Sequence, residues 1–352
     1  MKNKKISNSI FIMAILFFAI SIFFVSCSNP GPKKEIIDLD NVKSIKSITM
    51  KKELNRVDTG VSFIPQIHDI CQGFNGTYYV DDIHTNRILQ FSKDDELLNI
   101  IGRQGEGPGE FIDPSCMKYY DNGEAGKLYV LDNGGTRLQM FDVNGKYTDT
   151  KSKIEISAQF FDIDNDGNII VPMRTDIEYL LTKFSPTGEV LQKIIPIDKN
   201  DELLFKDEIK VFQRFGEVVY DKKNNLYWIF FTFSPDIRIY NSNGDLIKEI
   251  QFASKSIDTI KQRAEERQKN LDPRVQIRHA FQRNAKLLPN GNIYVYLPGI
   301  ANIELNYKNN NIHVTKYETK DLTDKIEKDY ILSFINGKYY GYGYMFKSFF
   351  RE

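Results

Sequence analysis

The segment "NGTYYVDDIHTNRILQFSKDDELLNIIG" (75–102) constrains the fold most, because it recurs. A second copy is "GKLYVLDNGGTRLQMFDVNGKYTDTK" (126–151), and looser copies occupy 166–194, 224–250 and 290–317, with a sixth start at 336–346. Each copy reads as a strand ending in an aromatic or apolar pair, a turn, an alternating apolar strand, a polar turn and a further strand. Signals such as "FNG", "VNG", "NDG", "PTG", "SNG" and "PNG" mark tight hairpins between them. Four short strands per unit, with starts about 40 to 66 residues apart, is the period of a propeller blade. An open ring would leave raw sheet edges. The alternating stretch "VKSIKSITMKKEL" (42–54) is therefore expected to supply the missing outer strand of the last blade. The expected fold is all-β, a six-bladed β-propeller of four-stranded blades over 36–352, closed by an N-terminal strand.

Between the fourth and fifth units, "SIDTIKQRAEERQKNLDPRVQIRHAF" (256–281) breaks the β pattern. Up to Leu271 it is charged, rich in helix formers and free of glycine and proline, and Pro273 stops it. It is expected to be a short helical insertion on the rim, and a place to look for a partner surface.

The first 26 residues read as a signal peptide. Lys2, Lys4 and Lys5 precede the uncharged run 9–25, with Ser26 and Cys27 directly behind it. The segment "FVSC" resembles the bacterial lipobox, apart from Phe24 where an aliphatic residue is usual. The resemblance implies that Cys27 is acylated and that 27–35 is a tether; a retained membrane anchor is the competing reading. Ser28 stands where aspartate accompanies inner-membrane retention. An outer-membrane location is therefore expected, with periplasmic face or cell surface undecided. Basic and acidic residues balance at 47 each, so loss of the three lysines leaves a net charge of about −3. There is no basic excess for nucleic acid.

The glycine-rich "IGRQGEGPGEF" (101–111) follows a strand and precedes another strand candidate, and Glu106 and Glu110 oppose an anion. It reads as the connection between blades rather than a phosphate loop, which needs a helix N-terminus. "DIDNDGN" (162–168) spaces Asp162, Asp164 and Asp166 like a calcium loop, but its twelfth position is Met173, and a hairpin explains it better. His68, His84, His279 and His313 show no metal-ligand spacing. Asp82 with Arg87 and Asp132 with Arg137 share one spacing, which favours a structural pairing. The candidate ligand-binding residues at the channel mouth are Asp82, His84, Arg87, Asp132, Arg137 and Arg174. Tyr340, Tyr342, Tyr344 and Phe346 share one strand face, for blade packing or as a platform for sugar rings. Cys71 and Cys116 are expected on inner strands of neighbouring blades, as buried free thiols.

The first copy with its glycine-rich tail resembles the NHL-type repeat. With the lipobox, the chain resembles the six-bladed β-propeller lipoproteins of Gram-negative bacteria, among NHL-repeat-like and TolB-like propellers. The lipobox, the radial repeat and the lack of a convergent catalytic set together point to a lipid-anchored envelope protein acting as a binding or protein-interaction scaffold, for a carbohydrate or an outer-membrane partner. No cofactor, metal or catalytic set is expected. The alternative is a metal-dependent hydrolase or lyase with its site in the propeller channel.

Overall fold

The computed structural model describes residues 34–49, 69–121, 126–132, 136–151, 160–172, 178–205, 215–269, 283–298, 300–320, 329–335, 338–343 and 348–351, with single positions between them. Residues 34–352 group as one unit. Its described part opens with two strands, β1 (Glu35–Asp38) and β2 (Ser44–Thr49), and then builds six sheets in chain order. Blade 1 is β3 (Ile70–Gln72), β4 (Tyr78–Asp82), β5 (Arg87–Phe91) and β6 (Leu97–Ile101). Blade 2 is β7 (Cys116–Tyr120), β8 (Lys127–Asp132), β9 (Arg137–Asp142) and β10 (Tyr147–Lys151). Blade 3 is β11 (Asp162–Ile163), β12 (Ile169–Pro172), β13 (Tyr179–Phe184) and β14 (Val190–Pro196). Blade 4 is β15 (Phe215–Asp221), β16 (Leu226–Phe231), β17 (Asp236–Asn241) and β18 (Leu246–Ala253). Blade 5 is β19 (Arg283–Leu287), β20 (Ile293–Leu297), β21 (Ala301–Lys308) and β22 (Asn311–Lys320). Blade 6 shows β23 (Asp329–Ile335), β24 (Lys338–Gly343) and β25 (Ser348–Arg351) among the described residues.

Within each blade neighbouring strands are antiparallel. The first strands β3, β7, β11, β15 and β19 lie side by side in that order, and β23 lies against β3, which returns the ring to its start. The six-bladed propeller read from the repeats is the fold. One detail differs. The N-terminal strands do not complete the last blade: β1 adds in parallel to β18 of blade 4, and β2 in parallel to β22 of blade 5. The ten-residue β22 offers a long free edge, paired from Ser44↔Thr315 to Thr49↔Lys320, with Ser44 Oγ 3.0 Å from Thr315 Oγ1.

The core sits between blades. Trp228 and Phe230 of blade 4 pack with Val295 and Ile303 of blade 5, and Tyr129 and Leu138 of blade 2 pack with Phe161 and Val171 of blade 3. Blades 2, 3 and 4 are thus covered on both faces, so central strands such as "LYWIFF" are buried throughout and lose strict alternation.

The hairpins repeat one chemistry. Ser92, Asp142, Ser185 and Asn241 each accept, through their side-chain oxygen, the N–H groups two and four residues on. The fourth residue of each turn has positive φ: Asp95, Gly145, Gly188 and Gly244. This is a turn followed by a left-handed residue, which suits the strand twist. At Gly145 a Cβ would come 2.5 Å from Ile101 Cγ1, so the position also needs the missing side chain for blade 2 to meet blade 1.

The helical insertion forms as α2 (Lys255–Gln268), with a short α1 (Glu202–Phe205) earlier in the chain. Ser254 caps α2 by accepting the Ile257 N–H at 3.1 Å. Ile257 is buried and Ile260 packs against the same core, while most other positions face solvent. It is an amphipathic helix with a narrow apolar stripe.

Candidate functional site

The innermost strand of a blade is a sheet edge, so half of its N–H groups have no ladder partner. Side chains from the preceding blade take several of them. Asp69, just before β3, accepts the Met117 N–H of β7 at 2.7 Å. Asp162 of β11 accepts the Tyr220 N–H of β15 at 2.8 Å, and Glu217 of β15 accepts the Ala285 N–H of β19. The thiols of Cys71 and Cys116 lie against the N–H groups of Tyr119 and Phe161, again one blade on. Both Glu217 and Ala285 sit within register shifts of their strands, where a bulge re-aims side chain and backbone.

Two lysines complete the set. Lys286 of β19 pairs with the Asp69 carboxylate and donates to Ile70 O at 3.1 Å. Lys118 of β7 lies 3.6 Å from Asp162 Oδ1, and its side chain keeps 24% exposure. These groups feel one another. Burial, then Asp69, pushes the thiols of Cys71 and Cys116 up to about 12. Burial pulls the Lys118 ammonium down, but Asp162, the thiols and Asp69 outweigh it, so its pKa is raised. Burial raises Glu217 to about 7, against the Ala285 N–H, Lys118 and Lys286, with Asp69 adding to the rise. The axis therefore holds Asp69, Lys118, Asp162, Glu217, Lys286 and two thiols in one electrostatic cluster. A carboxylate titrating near neutrality between two ammonium groups could move a proton.

The sequence reading placed Cys71 and Cys116 on inner strands, read Asp162 only as part of a hairpin turn, and missed the cluster as such. Its signal is a register column: Cys71, Lys118, Asp162 and Lys286 each pair with an apolar or aromatic residue near the start of the strand that follows, the second residue at Tyr79, Ile170 and Tyr294 and the third at Tyr129. Both Cys71 and Cys116 are free thiols, as expected.

The channel-mouth candidates mostly lie inside the blades. Asp132, fully buried, accepts the N–H groups of Ile112 and Asp113 at 2.9 and 2.8 Å and pairs with Arg137 Nη2 at 2.5 Å. Arg137 in turn donates to the carbonyls of Glu106 and Glu110 at 2.5 and 2.9 Å. Asp82 binds Arg87 Nε at 3.1 Å and the Thr85 hydroxyl at 2.6 Å. His84 is exposed in the turn between them, and Arg174 lies outside the described residues.

Asp132, Arg137 and Gln139 thus fasten the glycine-rich segment, which links β6 to β7 as expected. Gln139 accepts the Gly109 N–H at 2.9 Å and donates to Glu110 O at 2.6 Å. The segment's own Glu110 accepts the Gly107 N–H at 2.9 Å, occupying the place of an anion. That N–H, followed by Arg103, holds the Glu110 carboxyl below its ordinary range. Phe111 is buried between blades 1 and 2, and a Cβ on Gly102 would fall on its ring.

The calcium-like loop is a hairpin. Asp164 accepts the N–H groups of Asp166 and Asn168 at 2.9 and 2.8 Å and pairs with Lys183 at 2.8 Å, while Asp162 turns to the axis. Among the described residues no three His, Cys, Asp or Glu side chains converge as a metal set. His68 and His279 lie outside the described residues, and His313 is exposed on β22. Tyr344 and Phe346 also lie outside them, as do the side chains of Tyr340 and Tyr342.

Comparison with known proteins agrees with this architecture. A family profile, DUF5128, described as 6-bladed beta-propeller, matches residues 32–285. No curated protein matches the chain. Among solved structures, a Bacteroides fragilis protein thought to be exported is similar at 13% identity and TM-score 0.50, with 80% of each chain covered. A catalytically inactive virginiamycin B lyase from Staphylococcus aureus, with quinupristin, is similar at 10% identity and TM-score 0.50, covering 86% of this chain and 85% of that one. With the family profile spanning more than half of its residues, the chain belongs to the DUF5128 family of 6-bladed β-propellers.

Proposed function

We propose that the protein is a lipid-anchored propeller of the bacterial cell envelope that works by binding, as an interaction scaffold for an outer-membrane partner or a carbohydrate. The observation that carries this reading is the use of the axial polar groups. Asp69, Asp162 and Glu217 accept inter-blade N–H groups, and Lys286 ties blade 5 back to blade 1. A ring stitched in this way is a rigid platform that carries the solvated helix α2 as an insertion. The apolar run ending at Cys27 supports the anchor. Cross-linking in native membranes, with the protein tagged at its C-terminus, tests the scaffold. A partner recovered near stoichiometry, with cross-links at α2, is the expected result. Catalytic turnover abolished by axial substitutions would overturn it.

A second reading, a metal-dependent hydrolase or lyase acting in the axial channel, draws on Glu217, whose carboxylate titrates near neutrality beside Lys118 and Lys286. Metal analysis of the purified protein separates the two: a stoichiometric metal lost in Glu217→Gln would favour catalysis.

A further inference from the structure

Exposed apolar side chains mark several blades, Leu98 and Ile100 on blade 1 and Val190 and Leu191 on blade 3, and two of them lie on the N-terminal strands. Ile36 on β1 is 66% exposed, more than any other large hydrophobic residue among those described, and Ile45 on β2 is 52% exposed. Lys43, two residues before Ile45, is exposed as well, whereas Lys46 is on the other face and stands over the Tyr317 ring at 5.6 Å. The alternation is that of a two-faced strand: Ile37 and Val42 pack on the core between blades 4 and 5, and their neighbours point away from it.

The strap is fixed at its root. Lys34 pairs with Asp236 at 2.6 Å and Glu249 at 3.3 Å, and Lys248 pairs with Glu35 at 2.5 Å. Leu39 is buried, and Asp40 accepts the Lys255 N–H of α2 at 2.8 Å. Asp38 turns inward on its own turn, accepting from Asp40 N and Asn41 Nδ2 at 2.9 and 2.6 Å. A tether from Cys27 to Lys34 is seven residues long and reaches at most about 25 Å when fully extended.

We propose that the outer face of this strap, Ile36, Lys43 and Ile45 along blades 4 and 5, is the surface the protein lays against a lipid bilayer. The proposal rests on acylation of Cys27. An acyl anchor alone would leave the body free to swing. Here the short tether enters the body beside the most exposed apolar side chain, and Lys43 near Ile45 suits anionic headgroups. The propeller would then stand on its rim, with α2 close to the membrane and blade 1, across the ring from blade 4, turned away.

The test uses the full lipidated chain in vesicles of phosphatidylethanolamine and phosphatidylglycerol. An environment-sensitive fluorophore is attached in turn at Ile36→Cys, Ile45→Cys and, on blade 1, Leu98→Cys. The buried thiols of Cys71 and Cys116 compete little for the label. Mass spectrometry first establishes whether Cys27 carries acyl chains. With acylation present, labels at 36 and 45 are expected to shift to the blue and lose about threefold or more of their quenching by aqueous iodide. The label at 98 should stay unchanged. Equal quenching at all three positions on an acylated protein overturns the surface and leaves the anchor standing. An unacylated Cys27 overturns both. Protection at 36 and 45 in the soluble Cys27→Ser variant would instead mean that these edges pair two copies of the chain, which also overturns the proposal.

Discussion

Replacing Asp132 with alanine should be the most damaging polar substitution in the first two blades. Its carboxylate, fully buried, satisfies the backbone donors of Ile112 and Asp113 through one oxygen and the guanidinium of Arg137 through the other. Hydrogen bonds to a charged acceptor contribute about 1.5–3 kcal/mol each, and an unpaired buried partner adds to the loss. The two N–H groups alone give about 3–6 kcal/mol. Arg137 keeps its carbonyl acceptors and water can enter the loop, so the net expectation is about 3–5 kcal/mol. The equivalent Asp82→Ala loses one hydroxyl and one guanidinium contact and frees no backbone donor in the loop, for about 1–3 kcal/mol. Urea unfolding of both variants measures the difference, provided the slope with denaturant is unchanged. If Asp132→Ala costs no more than Asp82→Ala, the claim that this pair fastens the 102–115 segment is wrong.

Three further outcomes follow from buried groups. Glu217 titrates near 7 in the folded chain, above its unfolded value, so ionisation costs stability as pH rises between about 4.5 and 7. Glu217→Gln should therefore gain relative to the parent by on the order of 2 kcal/mol between pH 5 and pH 8; a gain independent of pH would contradict the assignment. Cys71 and Cys116, with thiols raised to about 12, should alkylate at pH 8 roughly a thousandfold more slowly than in the unfolded chain, followed peptide by peptide in a mass spectrometer. Trp228 is the single tryptophan; it is fully buried, stands edge-on to Tyr307 at 6.2 Å, and its indole N–H has no hydrogen-bond partner among the described residues. Trp228→Phe should then cost only about 1–2 kcal/mol against about 3–5 for alanine, and similar losses for both would point to an interaction at the indole nitrogen.

The propeller was legible because its information is local. Hairpin residues such as Asp142 and Asn241 act on N–H groups two and four positions away, so each blade announces itself within some 25 residues. The helix was legible for the same reason, with Ser254 capping it and no breaker before Gln268. The place of β2 was not. Any free outer edge accepts an alternating strand, and "KSIKSIT" carries no feature that distinguishes blade 5 from blade 6. The axial cluster was hidden for a related reason. Lys118, Asp162 and Lys286 stand each at one position of its own repeat in otherwise ordinary strands, and only the closed ring brings them together. The Asp–Arg pairs were seen, but their loop partners Glu106 and Glu110 lie some 27 to 31 residues from Arg137.

The link from Lys286 to Asp69 and Ile70 joins the fifth blade to the first without passing through the sixth. That fastening is made by β19, well before β23 closes the ring against β3. During synthesis the circle has its axial fastening as soon as blade 5 has emerged. The last blade then enters a gap whose two walls are already held to each other, as a keystone enters an arch.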